Sequence, residues 1–499
     1  MLRNILANFL GRFWGFLSAF LFTPLYIKFL GVESYSIISF SLVLSGFMFV
    51  LGAGLSTTLT REFALKTNSN NDKVNTIKTF ELFYYFISLV ILLLFFTFSG
   101  FISHNWLNLD KVSPDDVSFF IKIIGFGISF QLLCEFYIGG FMGLEKQIKA
   151  NTYQIIWGIF RNGIVIIPIY FFPSLKLYFI WQSIITIIYA LVLRYNLLNE
   201  LNVQIPIFRK PVFDKSVLNN TWKFAAGIFL VSLVASFNTQ MDKLAISKLL
   251  PINILGYYTL AISLAQSIIL LVNPISSAVM PRISSLFSQD KYVEVKDLYE
   301  KMTLFISILV FSFGLNILFN GKNLIWIWTN NLGLANNSSI YIPILSVGMI
   351  VYSFQILPFN LAIANAYTKL NNILGILSLI VTLPGYWIMT NIYGAIGAAI
   401  TWCIVQSLIT IIYVYLVHKK FLPDIIQLKF SINNYIKPLI IILIITYIFN
   451  QFTNFWPSRF GQFFWIGLST IVSILVAIVF LFRTKDYEKY IKRLKKIFK

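Results

Sequence analysis

Residues 4–29 read NILANFLGRFWGFLSAFLFTPLYIKF, and this stretch decides the fold class. Apart from Thr23 and Lys28 toward its far end, it is apolar except for a polar and small set, Asn4, Asn8, Gly11, Arg12, Gly15 and Ser18, that recurs at helical spacing. At about 1.5 Å per residue the run reaches about 39 Å, enough to cross a hydrocarbon core of about 30 Å. The polar set forms one face of that helix. Arg12 stands roughly 12–14 Å along it, too deep for its stem to reach the headgroups easily. A charge at that depth needs an aqueous cavity or a partner.

Further apolar runs follow at roughly 34–58, 80–103, 117–143, 154–172, 177–197, 223–248, 254–279, 301–319, 340–364, 371–391, 394–417, 435–453 and 462–482. The 499-residue chain is 58% hydrophobic and only 12% charged, against about 45–50% and about 25% in soluble domains. A soluble fold of this size cannot hide so much apolar surface. The sequence therefore predicts an all-α polytopic membrane protein of about 14 transmembrane helices. Its connections are too short for a soluble catalytic domain. No P-loop, DxD or HExxH pattern is present, so neither an enzyme nor a metal or cofactor site is expected. Cys134 and Cys403 sit singly in apolar runs, which rules out a disulfide framework.

The formal net charge of +20 invites a nucleic-acid reading. The charges are scattered between apolar runs, however, so no nucleic-acid partner is expected. With both termini inside, 29 of the 39 Lys and Arg fall on inner connections and 8 on outer ones. Arg194 is counted among the inner set. This is the positive-inside pattern, and it predicts an even number of spans. Arg12 and Arg161 remain, both within spans. The tail, 485–499, separates Tyr490, Ile491 and Leu494 from Lys489, Lys492, Arg493 and Lys496, which suits a helix lying on an anionic leaflet. His104 and His418, near run ends, read as interfacial.

The chain also carries an internal repeat. Residues 27–44, IKFLGVESYSIISFSLVL, match 246–265, ISKLLPINILGYYTLAISLA; 58–65, TLTREFAL, match 278–287, AVMPRISSLF. The offset stays near 220 positions, which predicts two pseudo-repeat bundles of six helices plus two C-terminal helices. The expected division is 1–200 and 223–420 for the bundles, 201–222 for a cytoplasmic linker, 421–484 for the last two spans and 485–499 for the tail.

Polar faces recur inside the runs. Asn151, Gln154, Gly158, Arg161 and Asn162 share one face. Ser232, Ser236, Asn238, Thr239, Asp242 and Lys243 form a second; Asp242 and Lys243 point about 100° apart and are not expected to pair simply. Ser263, Gln266, Asn273 and Ser277 form a third, and Gln355, Pro358, Asn360 and Asn365 a fourth, both more consistent with inter-helix hydrogen bonds. Glu135 and Asp242 are the candidate intramembrane carboxylates. Each either carries a proton or neutralises a charge, with Arg12 or Arg161 as partner for Glu135.

NFLGRFWGFLSAFLFTPLYIKFLG (8–31), ESY (33–35), FVLGAGLSTTLTREFAL (49–65) and MDKLAISKLLPINILGYYTLA (241–261) together resemble the bacterial polysaccharide transporters. These belong to the multidrug/oligosaccharidyl-lipid/polysaccharide exporter superfamily and include O-antigen and capsule repeat-unit flippases. The resemblance implies a V-shaped pair of bundles in the bacterial cytoplasmic (inner) membrane. It also implies alternating-access transport of an undecaprenyl-diphosphate-linked oligosaccharide to the outer leaflet, coupled to an ion gradient. Membrane lipids, a polymerase and a chain-length factor are the implied partners. On that footing Arg12 and Arg161 hold the diphosphate, since a guanidinium fork binds two oxygens at once. Asn8, Asn162, Asn238, Lys243, Gln266 and Asn273 complete the cavity, and Glu135 or Asp242 couples the ion. The alternatives are a multidrug antiporter, disfavoured by the lack of a first-helix carboxylate, a peptidoglycan-precursor flippase, and a polymerase or ligase, which normally needs a long outer loop.

Overall fold

A computed structural model of the chain describes residues 2–65, 70–201, 213–365 and 367–481. Half of the expected linker, 202–212, and all of the basic tail lie outside the described residues. What is described is helical, without strands; one isolated bridge pairs Asn108 with Pro251. The helices are α1 (Leu2–Leu30), α2 (Val32–Ala64), α3 (Asn70–Phe101), α4 (Pro114–Gly143), α5 (Gln147–Gly158), α6 (Ile166–Phe171), α7 (Leu175–Glu200), α8 (Lys215–Leu249) and α9 (Ile252–Phe287). They continue as α10 (Tyr292–Thr329), α11 (Leu332–Ser339), α12 (Ile342–Ser353), α13 (Ile356–Ala364), α14 (Lys369–Tyr393), α15 (Ala395–Phe421), α16 (Gln427–Ser431), α17 (Lys437–Gln451) and α18 (Arg459–Leu481). Thirteen segments are long and apolar enough to cross a membrane, and α1 precedes them with a shorter apolar stretch at Phe20–Leu30. The expected polytopic helical fold of about fourteen spans is present.

Several helices outrun the apolar runs that predicted them. The run at 301–319 is only the centre of α10, which kinks at Asn320, where the backbone leaves helical angles, and then continues to Thr329. There Asn330 takes the left-handed conformation, φ 54°, and its N–H bonds the Trp326 carbonyl at 2.8 Å. Gly31, at φ 88°, makes the abrupt turn between α1 and α2 that a side chain would strain. The repeat is visible in the element order. α2 and α9 start 220 positions apart, as do α7 and α15; α3 and α10 start 222 apart, as do α5 and α14.

The chain divides into two compact units, Met1–Gly256 and Tyr257–Lys499. In the first, α2 packs on α4 and α8, α4 on α3 and α7, and α1 on α5. Gly54 lets α2 meet α8 at backbone distance: a Cβ there would stand 2.4 Å from the Ala225 carbonyl oxygen. A buried ion pair ties α3 to α7. Arg194 donates through Nε to Glu81 Oε1 at 2.7 Å and through Nη2 to Oε2 at 3.2 Å, while Tyr137 of α4 donates to Oε1 at 2.8 Å. Assigning Arg194 to an inner connection was therefore incorrect: it is a buried residue within α7, retained by this carboxylate.

The connection between α3 and α4 is held from two sides. Buried Glu33, in the first turn of α2, accepts the backbone N–H groups of Asp110, Lys111 and Val112 at 2.8–3.3 Å. Asn108 donates to the Lys248 carbonyl and accepts from the Ile252 N–H, and Trp106 donates to Ser247.

In the second unit α10 packs against α12, α17 and α18. His418 is wholly buried, bonded to the Tyr299 hydroxyl at 2.8 Å and to Gln427 at 3.0 Å, which corrects the interfacial reading. His104 is half exposed and lies 3.2 Å from Asp115. Gln355 accepts from Gln406 and Thr410, and Asn360 donates to Ser276 at 2.7 Å. These amides join helices, as their spacing suggested.

Candidate functional site

The fifth span is not a regular α-helix. After α5 the backbone widens into a π-turn, Ile159–Ile164, and then resumes as α6. Such a turn adds a residue locally, rotates the side chains around it and loosens backbone pairing, and it recurs at functional sites. Arg161 stands on it. Gln182 of α7 grips the residue at two points: Nε2 donates to the Arg161 carbonyl at 2.8 Å and Oε1 accepts from Arg161 Nε. The Trp157 ring lies 4.7 Å from the guanidinium and is stacked in turn on Tyr189, with centroids 5.0 Å apart.

The guanidinium borders a partly open cavity of about 380 Å³ between α2, α4, the π-turn and α7, entirely within the first unit. Its polar lining includes Ser41, Ser45, Gln131, Gln182, Ser183 and Thr186. Among the described residues no carboxylate stands within ion-pair distance of Arg161. The expected pairing of Glu135 with Arg161 is thus not formed. Glu135 is half-buried on α4, and its backbone carbonyl accepts from Ser56 at 2.9 Å. A cation in a low-dielectric interior attracts an anion strongly, and a cavity walled by amides and hydroxyls is a place to bind one.

The other expected site residues divide. Asn162 shares the π-turn with Arg161 but serves helix packing: its side chain donates to Ser18 at 3.4 Å and its carbonyl accepts from Tyr26 at 2.5 Å. The side chains of Asn8 and Arg12 lie outside the described residues. Asn238, Asp242 and Lys243 share α8. Asp242 is buried, and Lys243 Nζ stands 3.8 Å from its Oδ1, so the expectation that sequence neighbours would not pair fails. The four-carbon lysine stem curls back along the helix, where Nζ also donates to the Thr239 carbonyl at 2.7 Å. Gln266 and Asn273 are exposed on α9 in the second unit. Sequence reading overlooked Gln131, Gln182 and Trp157. The available signal was a glutamine inside each of the fourth and sixth apolar runs.

The polysaccharide biosynthesis protein family profile matches residues 1–287, and the MatE profile matches 228–388. A Shigella flexneri protein assigned as an O-antigen transporter is 22% identical over 378 residues, covering 75% of this chain and 87% of that one. The Staphylococcus aureus capsular polysaccharide biosynthesis protein CapF is 25% identical over 342 residues, covering 63% and 81%. Among solved structures, the lipid II flippase MurJ in an inward closed conformation superposes with a TM-score of 0.75 at 17% identity, covering 96% of this chain and 99% of that one. An inward-facing multidrug resistance MATE family transporter gives 0.64 at 12% identity, covering 81% and 94%. At these identities the superpositions establish the fold alone.

Proposed function

The chain belongs to the polysaccharide biosynthesis protein family, and from that premise we propose that it is a flippase for lipid-linked oligosaccharides. It is a multi-pass transporter of the multidrug/oligosaccharidyl-lipid/polysaccharide exporter superfamily. The finer reading is that it moves undecaprenyl-diphosphate-linked repeat units of a surface polysaccharide from the inner to the outer leaflet of the bacterial cytoplasmic membrane. It does so by alternating access, with both termini cytoplasmic. One observation carries this reading: Arg161 presents a guanidinium to a polar cavity with no described carboxylate to neutralise it. A diphosphate supplies the missing charge, and the lipid tail remains in the bilayer. Arg12 is the second cationic group proposed for the same ligand.

The test is flipping of a fluorescent lipid-diphosphate oligosaccharide in proteoliposomes at matched protein levels. Removing one partner of a desolvated charge pair costs about 2–5 kcal/mol, so Arg161→Ala should slow flipping by about 30-fold or more. Wild-type rates in both Arg161→Ala and Arg12→Ala would overturn the role of these arginines, and no flipping by the wild type would overturn the flippase reading. Glu135 and Asp242 are the proposed coupling groups. Coupling through them predicts that Glu135→Gln or Asp242→Asn makes transport insensitive to the ion gradient.

A second reading is transport of a peptidoglycan lipid precursor, since the same fold serves the lipid II flippase MurJ. Complementation separates the two. Restored surface polysaccharide in a strain lacking its repeat-unit flippase supports the first, and restored growth of a strain depleted of lipid II flippase supports the second.

A further inference from the structure

Gln182 spends both ends of its amide on Arg161. Its Nε2 satisfies the Arg161 carbonyl within the π-turn, and its Oε1 binds Nε of the same residue. The Trp157 ring covers one face of the guanidinium. Backbone, Nε and one face are then all committed. The two terminal nitrogens remain, and among the described residues neither has a hydrogen-bond acceptor. A long, flexible arginine would normally dissipate its geometry over many rotamers. Here the amide clamp and the indole remove that freedom before any ligand arrives, which is preorganisation of a planar fork for a two-oxygen acceptor.

The cavity also limits what can be bound. Its enclosed interior is only about 30 Å³, space for two or three water-sized groups. That space suits phosphoryl oxygens, with Ser41, Ser45, Gln131 and Ser183 in its lining.

We propose that Gln182 is a positioning residue that presents the Arg161 terminal nitrogens to a phosphoryl anion. The proposal rests on the flippase reading and deepens it. The shared chemistry is a diphosphate, whether it arrives on a lipid or free.

The full chain, purified in detergent, is titrated with inorganic diphosphate and separately with farnesyl diphosphate while its thermal unfolding midpoint is followed. Wild type should be stabilised by at least one probe. Stabilisation by both indicates that the anion suffices, and by farnesyl diphosphate alone that the head enters from the lipid; either supports the subsite. Gln182→Glu keeps an acceptor for Nε but places a carboxylate against the guanidinium. It should lower affinity by about tenfold or more, measured against its own ligand-free midpoint, because the carboxylate competes with the anion for the guanidinium. Gln182→Leu should lower affinity similarly, and if it fails to fold, Gln182→Glu still decides. Wild-type affinity in Gln182→Glu alongside lost affinity in Arg161→Ala overturns the role of Gln182 and leaves the flippase reading standing. No stabilisation of the wild type by either probe overturns the subsite. Wild-type flipping by Arg161→Ala overturns the subsite and leaves the flippase reading standing.

Discussion

Two arginines of the first unit show how environment decides what an intramembrane cation does. Arg194 meets Glu81 through two hydrogen bonds and is a structural residue; Arg161 meets an amide, an indole and a cavity. The pair at Glu81 makes a prediction. Glu81→Leu alone leaves a buried guanidinium uncompensated and should cost about 3–5 kcal/mol, whereas Glu81→Leu with Arg194→Leu should recover most of that loss. Unfolding midpoints in detergent for the single and double variants check it; equal destabilisation by both would refute the pairing argument. At Glu33, Gln in place of the carboxylate keeps the shape but loses charge-assisted acceptance of three amides. Hydrogen exchange at Asp110, Lys111 and Val112 should accelerate, with little change elsewhere. None of these partners was legible from sequence. Position 81 opens an apolar run and position 194 closes another, so each reads alone as a run-end charge until α3 and α7 are brought together.

Elements show where periodicity succeeds and where it stops. Apolar runs located the spans because a membrane helix must satisfy its backbone internally and face lipid with its side chains. They could not show the π-turn at Ile159–Ile164, since one extra residue per turn leaves hydropathy unchanged while rotating everything beyond it. Deleting Gly163 should restore a regular helix through this segment and rotate Arg161 relative to Gln182. The expected result is normal membrane insertion with transport lost; retained transport would show that the turn is dispensable. The contact of α2 with α8 gives a second element-scale prediction. Gly54→Ala places a methyl 2.4 Å from the Ala225 carbonyl oxygen, so the helices must separate. A loss of about 1–3 kcal/mol, the usual cost of overpacking, should appear in thermal unfolding.

Across the whole molecule, the distribution of basic residues supports the proposed topology. Moving Arg194 from the inner set to the interior of α7 leaves the bias intact, because the remaining inner connections still far outnumber the outer ones in Lys and Arg. The orientation is testable: Asp110→Cys should react with an impermeant maleimide in intact cells, and Gln289→Cys only after permeabilisation. The opposite pattern would invert the proposed direction of transport. Composition, run length and the 220-residue offset were enough to establish a helical membrane protein built from a doubled six-helix motif, because these properties are local or periodic and survive any packing of the helices. Which cations are neutralised was settled only by packing. Counter-charges come from residues distant in the chain, as Glu81 does for Arg194, or are missing among the described neighbours, as for Arg161. A low-dielectric interior makes that difference the one that separates a structural arginine from one open to an anion.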